Sequence, residues 1–119
     1  MEFLVMAYDG KDAEAKTRRL QARSAHLDNI VALKETGVFI NGGAILDNQG
    51  NMIGSTLYMN FESRAALDLW LQSDPYVTKG VWIDVEVMPI RLVPPMCIDK
   101  NLVVANESRL PDHEVNEWM

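Results

Sequence analysis

Arg23 and His26 stand three residues apart in the stretch ARSAHLDNI. On a helix that spacing makes them neighbours on one surface. An imidazole titrates near neutrality and is the commonest general acid or base. A guanidinium beside it would hold an anionic group or a developing oxyanion. Asp74, in the string SDPY, is a carboxylate of the kind that fixes a histidine tautomer. Capping a helix that opens at Pro75 explains the same string equally well. Ser55, in MIGSTLY, could offer a hydroxyl to a cleft. Gly42 and Gly43, inside a strand-like run, imply a bulge or a close approach of backbone to a neighbour or a ligand. The plain structural account of the pair is a satisfied core histidine beside an arginine whose stem snorkels outward.

Other chemistries find little support. No strand-to-helix glycine pattern for phosphate is present. His113, Glu114 and Glu117 lack the second histidine of a zinc helix, so no metal and no cofactor is expected. The chain has 119 residues, enough for one domain with one core. A net charge of −6 argues against nucleic acid or anionic membrane as partner. No apolar run approaches the ~20 residues of a membrane span. The start, MEFLVMAYDG, has neither the basic residues nor the cleavage site of a signal peptide. The single cysteine, Cys97, rules out an intramolecular disulfide and reads as a half-buried small hydrophobe. These features give an expectation of a cytoplasmic protein.

The elements that must position the candidates read as follows. Residues 2–8 form a strand, and Asp9-Gly10 supplies turn chemistry. A long helix is expected from about Asp12, as N-cap, to Thr36, with Gly37 as the stop. Its packed arc is read as Leu20, Leu27 and Val31, widened by Ile30 and Leu33, with Arg23 and His26 falling on that arc. Residues 38–46 form a second strand, 47–51 a hairpin turn, and 52–61 a third strand. A second helix follows with Ser63 as N-cap, then a helical turn opened by Pro75 and closed by Gly80. A fourth strand, from Val81 to about Val93, sets Val81, Ile83, Val85 and Val87 on one face and Trp82 and Met88 on the other.

The order β-α-β-β-α-β is the split βαβ, or ferredoxin-like, α+β pattern with a four-stranded antiparallel sheet. Helices would cover one sheet face. The other carries Leu4, Met6, Tyr8, Tyr58 and Met88, too apolar for open solvent, so a second copy packed sheet to sheet is expected. The domain spans residues 1–93. Residues 94–119 form an extension with a strand-like NLVVA and a helix-like DHEVNEW, expected to pack on the sheet or across a dimer.

Taken in order, Ala7-x-Asp9, Arg23-x-x-His26-Leu27, Gly42-Gly43, Gly54-Ser55-Thr56, Phe61-Glu62-Ser63, Trp70, Asp74-Pro75-Tyr76, Gly80-Val81 and Pro89 resemble the YciI-like (YCII-related) family. The resemblance covers residues 1 to about 93. It implies a dimeric α+β barrel, related in shape to muconolactone isomerase, and a site centred on a histidine and an aspartate. On this chain these are His26 and Asp74, with Ser55 and Arg23 beside them. Some relatives resemble lyases of aromatic-compound breakdown, including dehydrochlorination of hydroxylated rings. Gly42-Gly43 stands where the family usually has glycine-proline, and the family usually stops near the end of the fourth strand. Two functions are therefore expected to compete. One is a lyase or isomerase using His26 and Asp74 for proton transfer on a small anionic or aromatic substrate. The other is a non-catalytic dimer that binds a small metabolite or a partner.

Overall fold

The structure, a computed structural model, describes residues 1–94. Cys97, His113, the strand-like and helix-like tail segments and nearly all of the extension lie outside the described residues. Seven elements follow one another: β1 (Glu2–Asp9), α1 (Ala15–Glu35), β2 (Phe39–Leu46), β3 (Met52–Asn60), α2 (Arg64–Ser73), α3 (Pro75–Thr78) and β4 (Trp82–Ile90). The strands form one antiparallel sheet in the order β2-β3-β1-β4. The helices lie on one face, which makes this the ferredoxin-like α+β architecture. The short α3 is the helical turn expected between Pro75 and Gly80.

Local chemistry sets most boundaries. Ser63 caps α2 by accepting from the Ala66 N–H at 3.1 Å. Gly37, at φ 82°, ends α1. The Gly37 N–H donates to Lys34 O and the Val38 N–H to Leu33 O, the paired closure of a Schellman motif. In the β2–β3 turn, Asp47 Oδ1 accepts from the Gln49 and Asn51 N–H groups, both at 2.9 Å, and Gly50 supplies a positive φ. The start of α1 differs from expectation. Asp12 does not cap it; the helix begins at Ala15 with Glu14 at the cap position and no side-chain cap bond. Asp12 instead accepts from the Glu14 N–H and is gripped by Arg18, at 2.6 and 2.7 Å. That grip holds the Asp12 carboxyl down at about 2.

The core lies between helices and sheet. Phe3, Val5 and Ala7 of β1 meet Leu57 and Met59 of β3, Phe39 of β2, Ile30 of α1 and Leu67 of α2. The buried stripe of α1 is Ala15, Arg19, Ala22, His26 and Ile30, spaced by four, three, four and four residues. This corrects the expected arc. Leu20 is 59% exposed and Val31 39%, while Leu27 and Leu33 are only partly buried. Two of the five positions are alanine, and two polar side chains occupy places that hydrophobicity would assign to leucine.

A second correction concerns β4. Pairing with β1 runs in register from Glu2↔Ile90 to Tyr8↔Asp84, then shifts so that Asp9 faces Trp82. Ile83 is the extra residue of this bulge and is 66% exposed. The bulge changes the alternation, so Trp82 joins Val85 and Val87 on the helix side and is buried. The strand also stops at Ile90, short of Val93. On the opposite sheet face, Tyr8 and Met88 remain 38% exposed.

Candidate functional site

His26 projects from the middle of α1 and Asp74 from the junction of α2 and α3. The fold joins them across 48 residues of sequence. His26 Nδ1 lies 2.8 and 3.0 Å from the two Asp74 carboxylate oxygens, and both residues are wholly buried. An ionised carboxylate can only accept, so the proton of a neutral ring sits on Nδ1 and Nε2 keeps its lone pair. Nε2 is buried and makes no hydrogen bond among the described residues.

Asp74 also performs the capping role. It accepts from the Tyr76 N–H at 3.0 Å, and Pro75 occupies the first turn of α3. Capping and histidine orientation are therefore one arrangement, with the start of α3 placing the carboxylate against the Nδ1 edge of the ring. The Tyr76 ring stacks on His26 with centroids 3.8 Å apart and planes 9° from parallel. Trp82 meets His26 edge-on at 5.3 Å. The imidazole is thus held by a hydrogen bond, a stack and an edge contact, and its rotamer freedom is small. Burial pushes the Tyr76 phenol up to about 12, against a downward pull from Arg19 and Arg23.

Arg19 is the residue that sequence reasoning missed. Its Nη1 donates to both oxygens of Asp9, at 2.8 and 2.9 Å. Its Nη2 donates to Gly54 O and Ser55 Oγ, both at 3.2 Å, and its Cζ lies 5.0 Å from the Tyr76 ring centre. The ion pair is nearly closed to water, with side chains 4% and 5% exposed. Burial pushes the Asp9 carboxyl above its ordinary range, and Arg19 pulls it back in part. The periodicity contained the signal, since Arg19 stands four residues before Arg23 and seven before His26. Asp9 reads as turn chemistry in sequence, although it continues the inward alternation of Phe3, Val5 and Ala7 along β1. Trp82 was hidden by the bulge in β4.

Ser55 is wholly buried, and its hydroxyl oxygen accepts from Arg19 and from Trp82 Nε1 at 3.3 Å. It links the Asp9–Arg19 pair to the aromatic wall around His26. Gly42 pairs with Leu57 and Gly43 with Thr56 across β2 and β3. A Cβ on Gly42 would fall on the Thr56 carbonyl oxygen, so the neighbouring strand accounts for this glycine. Neither glycine lines the recess next to Arg23.

That recess, of about 530 Å³, opens between the β1–α1 connection, the first turns of α1 and the β2–β3 turn. Asp9, Arg19 and Arg23 form its polar side, and Leu20, Met52 and Ile53 its apolar side. His26 lies one helical turn beyond Arg23 and does not line it. Arg23 Nε and Nη2 are buried and unbonded among the described residues. No group of metal-ligating side chains occurs among the described residues. None of the described helices is long and apolar enough to cross a membrane.

The YCII-related domain model matches residues 1–91. Protein YciI of Escherichia coli O6:H1 is 32% identical over 96 residues, covering 76% of this chain and 98% of that protein. An uncharacterized protein of Haemophilus influenzae is 32% identical over 99 residues, covering 78% and 99%. Among solved structures, 5-chloro-2-hydroxyhydroquinone dehydrochlorinase (TftG) from Burkholderia phenoliruptrix AC1100, in complex with 2,5-dihydroxybenzoquinone, superposes with a TM-score of 0.66. It is 26% identical, over 76% of this chain and 94% of that one. With nearly all of the described residues inside the matched segment, the chain belongs to the YCII-related domain family.

Proposed function

We propose that the protein is a small-molecule enzyme of lyase or isomerase type in which His26 takes a proton from the substrate and Asp74 stabilises the imidazolium that forms. The observation that carries this reading is His26 itself. A buried ring with Nδ1 fixed on a carboxylate and Nε2 unbonded is a base whose lone pair has no structural use. Elimination and isomerisation of activated rings begin with removal of a proton and require only that the charge left behind be steadied. Arg23, one turn away, would steady it. Ser55 would act through Arg19, because its oxygen already accepts two bonds. The likeness to a dehydrochlorinase of hydroxylated rings supports the same class of substrate.

His26 is closed to water in the single chain, so this reading has the substrate enter by the recess at Arg19 and Arg23 and displace the Arg23 side chain. It also pairs two copies of the chain through the open sheet face, where Tyr8 and Met88 stay exposed. Sedimentation equilibrium would give twice 13.4 kDa for that pairing and 13.4 kDa without it.

A second reading has its own support. Asp74 caps α3 while holding His26, and both are wholly buried, as in a structural pair of a non-catalytic binding protein. The two readings separate in a turnover screen of hydroxylated and chlorinated aromatic acids and phenols, with thermal shift used first to find binders. The enzyme reading expects turnover to fall at least 100-fold in both His26→Ala and Asp74→Asn. Unchanged turnover in both variants would end it.

A further inference from the structure

We infer that the recess beside Arg23 is a receptor for a single carboxylate carried on an apolar body. This deepens the proposed function by naming the anionic group of the substrate, and it rests on that reading for the link to catalysis. Three observations carry it. Arg23 borders the recess, and its Nε and Nη2, the parallel N–H donors of one edge of the guanidinium, are enclosed and unbonded among the described residues, so a carboxylate meets that edge once the side chain has swung outward as the proposed function requires. That edge matches the two oxygens of a planar carboxylate, and an unmatched buried guanidinium edge is costly.

The remaining charges of the recess are largely engaged. Arg19 is held by Asp9, while Asp12, which also lines the recess, is held by Arg18. Two carboxylates on the wall disfavour a dianion, and the exposed Lys11 and Lys16 at the rim set the long-range attraction for a monoanion. Lastly, Leu20 is 59% exposed beside Arg23, and Met52 and Ile53 face it across the recess. Together these apolar side chains form a wall for a ring or an alkyl chain.

The test uses the full chain and benzoate as probe, followed by calorimetry and by amide chemical shifts. Benzoate is expected to bind with shifts centred on residues 19–23 and 52–53. Benzamide, the neutral isostere, is expected to bind at least 10-fold more weakly. Arg23→Lys keeps the charge but not the two-pronged edge. It and Arg23→Gln are each expected to weaken benzoate at least 10-fold, with unchanged circular dichroism as the check on folding. Equal affinity for benzoate and benzamide overturns the inference, as does retained affinity in Arg23→Lys. Inorganic phosphate that competes as well as benzoate overturns it too. Turnover that depends on His26 but ignores Arg23 would refute this site and leave the proposed function standing. Benzoate bound through Arg23, with no reaction dependent on His26, would do the reverse.

Discussion

Replacing Asp74 by alanine removes two kinds of support at once, and their separate sizes can be worked out. Loss of the α3 cap, the bond from the Tyr76 N–H, costs about 1 kcal/mol. The His26 Nδ1–H loses its acceptor in a place with no water access, which costs about 1–3 kcal/mol. The sum is about 2–4 kcal/mol. At ~5 °C per kcal/mol for a domain of this size, the melting temperature falls by about 10–20 °C. Asp74→Asn behaves differently, because asparagine also caps and its carbonyl still accepts from Nδ1–H. Its cost is about 1 kcal/mol, or ~5 °C. Thermal unfolding followed by circular dichroism measures both, and nitrogen-15 long-range NMR reads the tautomer directly. The native chain should show a protonated Nδ1 and a bare Nε2 on His26. Equal melting temperatures for the alanine and asparagine variants, or a proton found on Nε2, would refute the reasoning.

Asp9→Ala strands a buried guanidinium and should cost about 3–5 kcal/mol, whereas Asp9→Ala/Arg19→Met should recover most of that loss in denaturant titrations. The recovery in the double replacement agrees with the Asp9 carboxyl, which burial raises: its charged form is disfavoured in the fold, so its contribution to stability declines as pH rises through the folded-state value. Asp12 has the opposite sign. Arg18 depresses it to about 2, so its stabilisation is complete above the ordinary carboxylate range and is lost as pH falls from about 4 toward 2. Asp12→Asn should flatten that part of the acid-unfolding curve. Gly42→Ala drives a methyl onto the Thr56 carbonyl oxygen and should cost about 1–3 kcal/mol, read as a lower urea midpoint with unchanged slope.

The fold was legible in the sequence because its punctuation is chemical and local. Ser63, Pro75, Gly37, Gly80 and the Asp47–Asn51 turn each act within a few residues, and each marks its boundary. Asp12 misled because a nearby arginine competes for the carboxylate that would otherwise cap. The inner face of α1 was misread for a related reason. Arg19 and His26 lie inward only because Asp9 and Asp74, remote in sequence, satisfy them. His26 already falls on the expected packed arc, but amphipathic patterning scores a position such as Arg19 as surface and pushes Leu20 inward in its place. His26 and Asp74 could be singled out as candidates, but their contact could not be read. It depends on how α3 sits against α1, which no spacing encodes. Trp82 escaped because one extra residue in β4 reverses the inside-outside alternation.

The strand order also sets a schedule for the chain. β1, the first strand of the described residues, is flanked on one side by β3 and on the other by β4. It can complete its ladders only after residues 82–90 have joined the sheet. The β2–β3 hairpin, closed by a five-residue turn, has no such delay. Amides of the two inner strands, β1 and β3, will therefore be the last to exchange with solvent, and those on the outer edges of β2 and β4 the first. His26 and Asp74 meet only when α1 and α3 are both seated on that finished sheet, so the candidate site exists only in chains that have folded to the end.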